Sequence, residues 1–168
     1  MLIDSLNTEK LLLRPLEQND ARYFLKHINK VNVYLEDDIN TLEEADKRVL
    51  AMLTSIQDQD AICFSVIAKQ TGEFVGACGI QTLKNDPSLY WWIKLESQKQ
   101  GFGFEATEKL IEWALENVSP KLNAHVHEFN YESIQLCKKL GGKSQPLGAL
   151  QRAAGIKAYV FEKTKDHT

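Results

Sequence analysis

Cysteine is scarce: Cys63, Cys78 and Cys137 are the only three in 168 residues. They are odd in number and widely spaced, so they form no disulfide framework, zinc set or redox pair. No charge sign dominates either. With 20 Lys and Arg against 23 Asp and Glu, the formal net charge is -3, which excludes a nucleic-acid partner held by bulk charge. No apolar run approaches the roughly 20 residues that a membrane span needs. The opening MLIDSLNTEK carries Asp4 and no apolar stretch of the kind a secretory signal requires. A reduced, cytoplasmic setting is therefore the expectation. Repeats, low-complexity blocks and linkers are all missing, and residues 1–168 are expected to form one domain around one core.

What is present reads as an alternation of strands and helices. LLLRPL (Leu11–Leu16) is a first strand ended at Pro15. Asp20 is placed to cap a helix with Tyr23, Phe24, His27 and Ile28 on its apolar face. YLEDD (Tyr34–Asp38) breaks the pattern and reads as a loop. Thr41 and Glu44 then form a capping box for a helix whose Val49, Leu50, Leu53 and Ile56 recur at helical spacing. Ala61–Lys69 and Glu73–Leu83 are strands joined by a short connection, hence an antiparallel hairpin. Ser88–Leu95 is a third, aromatic-rich strand. A helix with Phe104, Leu110, Ile111, Ala114 and Val118 on one face follows and stops at Pro120. Lys121–Phe129 is a strand, Asn130–Gly142 a helix ended by two glycines, and Ile156–Lys163 a last strand. Hairpin-linked strands before a single β-α-β crossover predict an α/β domain with a mixed sheet, antiparallel first and parallel where the crossover falls.

Gly101-Phe102-Gly103-Phe104-Glu105-Ala106 opens the helix of that crossover and reads G-x-G-x-x-A. Glycines at a helix start let N–H groups converge on an anion, and the helix N-terminus adds partial positive charge. They can equally make only a tight turn. A dinucleotide fold is disfavoured. Its first glycine follows the strand almost directly, whereas Lys94–Gln100 intervene here. The motif also lies past mid-chain, with too little sequence after it for a second nucleotide-binding half.

Gln98-x-x-Gly101-x-Gly103 resembles the Q/R-x-x-G-x-G/A motif of the GCN5-related N-acetyltransferase (GNAT) superfamily. TEKLLLRPLEQNDA (Thr8–Ala21) is similar to the opening of the subgroup that acetylates the N-termini of ribosomal proteins. GEFVGACGI resembles its hairpin strand, and NYESIQLCKKLGG its N-x-x-S-x-x-x-x-x-K-x-G segment. The resemblance spans about Thr8 to Lys163. It implies acetyl-coenzyme A in a gap where the Tyr90–Leu95 and Leu122–His127 strands splay. The backbone of Trp92, Ile93 and Leu95 would pair with the pantetheine arm. N–H groups of Gln98, Lys99, Gln100, Gly101, Phe102, Gly103 and Phe104 would hold the pyrophosphate, with Lys99 either adding charge or simply solvated.

For Asn130 and Ser133 two readings stand. Short polar residues at a helix start satisfy free N–H groups. The resemblance instead has Asn130 binding pantetheine and Ser133 facing the thioester sulfur as the catalytic acid. Many members carry a tyrosine acid where this chain has Cys137, which reads more simply as core packing. Relatives often place a glutamate base where this chain has Ser88, leaving Asp86, His125, His127 or water. His125 and His127 lack a third ligand, and no metal is expected. The acceptor side is expected from the loop after the first helix and from the last strands, with Glu36, Asp37 and Asp38 either solvated or attracting a cationic amine. The expectation is an acetyl-CoA-dependent N-acetyltransferase, a monomer or homodimer, acting on a peptide N-terminus. A small amine acceptor or an inactive coenzyme A-binding protein is the alternative.

Overall fold

The computed structural model describes residues 3–31 and 38–163. In chain order it contains β1 (Leu6–Asn7), β2 (Leu11–Pro15), α1 (Ala21–Val31), α2 (Leu42–Gln57), β3 (Ala61–Ala68), β4 (Phe74–Gln81), β5 (Ser88–Ile93), α3 (Phe102–Asn117), β6 (Lys121–His127), α4 (Tyr131–Lys139), β7 (Lys143–Gln145), α5 (Ala149–Ala153) and β8 (Ile156–Glu162). Short 3-10 turns at Gln18–Asp20 and Leu95–Ser97 precede α1 and follow β5. Among the described residues the strands form one sheet in the order β1-β2-β3-β4-β5-β6-β8-β7. Neighbours from β1 to β5 are antiparallel, and β5 and β6 are parallel. The sheet is the mixed one the sequence predicts. Its far end turns antiparallel again, because β8 runs against β6 and β7 against β8.

Alternation along the strands divides the core into two layers. On one face Leu89 of β5 packs with Leu110, Ile111 and Ala114 of α3 and with Ile134 and Cys137 of α4. On the other, Trp92 packs with Phe24 and Ile28 of α1 and with Ala45 and Val49 of α2. Trp92 is fixed by aromatic neighbours: Phe24 meets it edge-on at 5.3 Å and Phe74 lies 5.6 Å away.

The capping box of α2 is as expected, with Thr41 Oγ1 accepting from Glu44 N–H and Glu44 Oε2 accepting from Thr41 N–H. The apolar stripe holds at Val49, Leu53 and Ile56, which pack in the α1–α2 layer beside Ala45. Leu50 does not join it and is 58% exposed. Asp20 also differs from expectation. It is not the N-cap itself but the N3 member of a capping box with Glu17 at the turn before α1, and its carboxylate, 1% exposed, holds Arg14 through two bonds of 2.8 and 2.7 Å. It also accepts from Ser65 Oγ at 2.7 Å and from Glu17 N–H at 3.0 Å. α4 ends as the paired glycines predict. Gly141 has φ +82°, and the N–H groups of Gly141 and Gly142 reach Lys138 and Cys137 carbonyls, which is a Schellman motif.

β4 contains two glycines that admit no side chain. A Cβ on Gly79 would lie 2.1 Å from the Ile62 carbonyl oxygen and 2.7 Å from the Tyr90 hydroxyl. One on Gly76 would lie 2.1 Å from the Trp92 carbonyl oxygen. The bulk of the aromatic strand β5 is thus accommodated by the absence of a side chain opposite. Gly79→Ala is expected to cost about 1–3 kcal/mol by overpacking, read as a lower midpoint in urea with unchanged slope.

Candidate active site

The site begins where the parallel pair parts. Ser88 pairs with Asn123 and Leu89 with Ala124, and pairing stops there. β5 nevertheless runs on to Ile93, and β6 to His127 alongside β8. Lys94 N–H donates to Val75 O in β4, and the Trp92 carbonyl oxygen is directed at Gly76 in the same strand. Even-numbered backbone groups of β5 therefore face β4, so the odd-numbered groups, of Trp91 and Ile93, face the opening. This corrects the expectation for Trp92: its backbone belongs to the sheet and its side chain reaches the site. Leu95 lies beyond the strand in the 3-10 turn, 56% exposed.

The loop from that turn to α3 is shaped by two left-handed residues, Lys99 at φ +61° and Gly101 at φ +83°. Successive turns of this kind make N–H groups converge. Gln98 acts differently from the expected amide donor. Its N–H donates to Leu95 O and its side-chain Nε2 to Ile93 O at 3.0 Å, so it ties the loop to the end of β5. The first α3 hydrogen bond runs from Glu105 N–H to Gly101 O. The N–H groups of Phe102, Gly103 and Phe104 consequently have no partner within the helix. Gly103 lies inside the first turn, where a Cβ would meet only Ile93 Cγ1 at 3.6 Å. The fold itself does not require glycine there.

Glu105, which sequence reasoning passed over, anchors this turn. Its carboxylate accepts from Thr8 Oγ1 and from Lys10 N–H, fastening the β1–β2 hairpin to α3. No short-range pattern signals a contact across nearly a hundred residues.

A cavity of 340 Å³ joins these elements. Its lining includes Trp91, Ile93, Gln98, Lys99, Gly101 through Phe104, Asn130 and Ser133. Asn130 caps α4 by accepting from Ser133 N–H at 3.1 Å, so the cap is Asn130, and the Ser133 hydroxyl bonds no described residue. Cys137, one turn on, is fully buried in the α3–α4 layer. Burial pushes its thiol up to about 12, so it is a packing residue held protonated.

A second cavity, of 510 Å³, lies on the other side of β5. Trp91 and Trp92 border both. Its walls come from α1, the following loop at Ile39, α2 and strands β3 to β5. Of the expected acidic loop, Glu36 and Asp37 fall outside the described residues, and Asp38 is exposed. Tyr90 and Cys63 line this cavity and interact. Burial raises the Tyr90 phenol well above its ordinary value and pushes the Cys63 thiol up to about 12, so neither is a base near neutrality. Asp86 Oδ1 accepts from Asn123 Nδ2 at 2.5 Å, and His125 Nδ1 shares a 3.1 Å hydrogen bond with Ser88 Oγ. Phe129 N–H donates to His127 Nδ1. Among the described residues no group of three or more His, Cys, Asp or Glu side chains is placed to hold a metal ion. No described helix is long and apolar enough to cross a membrane.

These features define an acyltransferase of known architecture. The chain matches the Acetyltransferase (GNAT) domain family across residues 10–143, and it belongs to that family. A curated relative, the uncharacterised N-acetyltransferase p20 of Bacillus licheniformis, is 25% identical over 173 residues, covering 97% of each chain. Among solved structures, a Vibrio cholerae protein provisionally named a ribosomal-protein-serine acetyltransferase superposes with TM-score 0.80 at 22% identity, over 95% of this chain and 97% of that one. A ribosomal L7/L12 α-N-protein acetyltransferase in complex with coenzyme A gives TM-score 0.77 at 13% identity, over 92% and 95%. At these identities the structural likenesses establish the fold. The protein is an N-acetyltransferase of the GNAT family, which uses acetyl-CoA.

Proposed function

We propose that the protein transfers the acetyl group of acetyl-CoA to a protein N-terminal α-amine by direct attack on the thioester. One observation carries this reading: the N–H groups of Phe102, Gly103 and Phe104, unpartnered within the helix, line the same cavity as Ser133 and the open edge of β5. An anion cradle, an extended slot and a hydroxyl thus lie in series, in the order pyrophosphate, pantetheine, sulfur. Phe102 through Phe104 hold the pyrophosphate by N–H donation at a helix N-terminus. Trp91 and Ile93 offer backbone groups to the pantetheine amides. A backbone N–H of β5 polarises the thioester carbonyl, and Ser133 Oγ donates to the departing thiolate. The cavity beyond Trp91 and Trp92 receives the acceptor, whose amine loses its proton to solvent or to a base reached through water. Names of ribosomal-protein acetyltransferases among the structural neighbours support the α-amine as acceptor.

Two measurements test this. Calorimetric titration with coenzyme A should show Gly103→Val binding at least about tenfold more weakly, with the fold kept, because only Ile93 borders the new side chain. Gly101→Val should also weaken binding, with added backbone strain from φ +83°. Unchanged affinity in folded Gly103→Val would remove the pyrophosphate from this loop. A transfer screen of N-terminal peptides, polyamines and aminoglycosides should find turnover with peptides. Turnover confined to the small amines would replace the proposed acceptor.

A further inference from the structure

The acceptor cavity is not uniformly apolar: its lining also carries Arg48 and Asp60. Phe24, Ile28, Ile39, Met52, Trp91 and Trp92 give it hydrophobic walls. Arg48 projects from α2 into the same lining and forms no ion pair with any described residue. The carboxylate in the lining, Asp60, already accepts from Lys84 N–H at 3.1 Å at the cavity's edge. Arg48 and Tyr90 line the same cavity. Tyr90 precedes Trp92 by two strand residues, about 7 Å along β5.

We propose that this cavity selects primary amines carrying an apolar group beside the amine and a carboxylate further along, with Arg48 as the residue that recognises the carboxylate. The inference rests on the acceptor reading above. A peptide with an apolar first residue and an acidic second residue has this form. Its α-amine lies at Trp92, its first side chain against the hydrophobic walls, and its second side chain at Arg48, a planar donor suited to carboxylates.

The test compares Leu-Asp-Ala, Leu-Asn-Ala and Leu-Lys-Ala amides as acceptors at saturating acetyl-CoA. The wild type should favour Asp over Asn by about tenfold or more in kcat/KM, the scale of one charge-assisted contact. Lys should be the poorest. Arg48→Gln should erase the Asp preference without changing the acetyl-CoA KM, and Arg48→Glu should move it to the Lys peptide. Equal use of the Asp and Asn peptides by the wild type would overturn the proposal, as would an undiminished Asp preference in Arg48→Gln. So would failure to acetylate any of the three by protein that binds acetyl-CoA. Efficient transfer that ignores charge leaves the acetyltransferase reading intact, whereas loss of acetyl-CoA binding itself removes both.

Discussion

Asp20→Ala is expected to lower stability by about 3–5 kcal/mol, the cost of removing one partner from a buried ion pair. For a chain of this size that is on the order of 10 °C in Tm. Three donors lose their acceptor at once: the Arg14 guanidinium, the fully buried Ser65 hydroxyl and Glu17 N–H. Arg14 itself keeps 24% side-chain exposure and can turn to water, which favours the lower end of the range. The pair also fixes the acid limit of the fold. Burial pushes the Asp20 carboxyl up, but the bonds from Arg14, Ser65 and Glu17 outweigh it and hold it below the ordinary carboxylate value. A carboxyl depressed on folding contributes stability above its unfolded pKa, and that contribution disappears as pH falls through the lower folded value. Wild-type stability should therefore decline below about pH 4, and Asp20→Asn should show a shallower decline from a lower plateau. Chemical unfolding at a series of pH values reads both. Parallel profiles for wild type and Asp20→Asn would show that other carboxyls govern the acid transition.

Ser133→Ala is expected to lower kcat by about 10²-fold or somewhat less, the low end for general acid catalysis, with acetyl-CoA affinity nearly unchanged. Charge develops on the sulfur only as the transition state forms, so a group that meets it acts on kcat and not on ground-state binding. Stability should stay within about 0.5 kcal/mol, because the α4 cap is the Asn130 side chain and only the backbone of Ser133 takes part. Asn130→Ala separates the two functions: losing the cap should cost about 1 kcal/mol. The α4 N-terminus stabilises a thiolate in its own right and limits the Ser133 effect. Cys137 offers no substitute, since its thiol is buried outside the cavity lining and held up near 12. Cys137→Ala should accordingly leave kcat unchanged, alone or with Ser133→Ala. Pre-steady-state and steady-state assays at a temperature where all variants are folded decide this. Wild-type kcat in Ser133→Ala would exclude the hydroxyl from the chemistry.

Elements with strong local signals are legible in the sequence itself. The capping box at Thr41 and Glu44, the glycine stop at Gly141, the tight hairpin after Ala68 and the aromatic strand all follow from neighbouring residues. So does the mixed sheet, because a hairpin run followed by one crossover leaves few arrangements. Leu50 misleads because an apolar side chain alone does not fix its face: Val49, Leu53 and Ile56 make the stripe with Ala45, and Leu50 lies outside it. Asp20 misleads because a helix cap and a buried ion pair use the same residue type, and Arg14 and Ser65 identify the pair only in three dimensions. β7 and α5 are short and weakly patterned, so their pairing with β8 and docking beside it supply what their sequence does not. At the site, the glycines and the Asn130–Ser133 spacing are visible. Which backbone groups of β5 face outward is not, since strand register comes from Gly76 and Val75 on the neighbouring strand. The acceptor cavity is hidden for the same reason: Arg48, Met52, Cys63 and Tyr90 are distant in sequence and share no spacing rule.

The parting of β5 from β6 leaves an unpaired strand edge, and such edges are ordinarily a hazard. On the rim of a sheet, open N–H and C=O groups invite another polypeptide to add itself. Here the backbone groups of Trp91 and the Ile93 N–H are recessed between two strands that remain joined at Ser88 and Leu89, with α3 and α4 beneath. A polypeptide strand carries side chains above and below its plane, whereas the proposed pantetheine arm is a slender chain of methylenes and amides. On the proposed reading the parting beyond Leu89 suits such a thread better than a second strand, and leaves the other side of β5 to the acceptor.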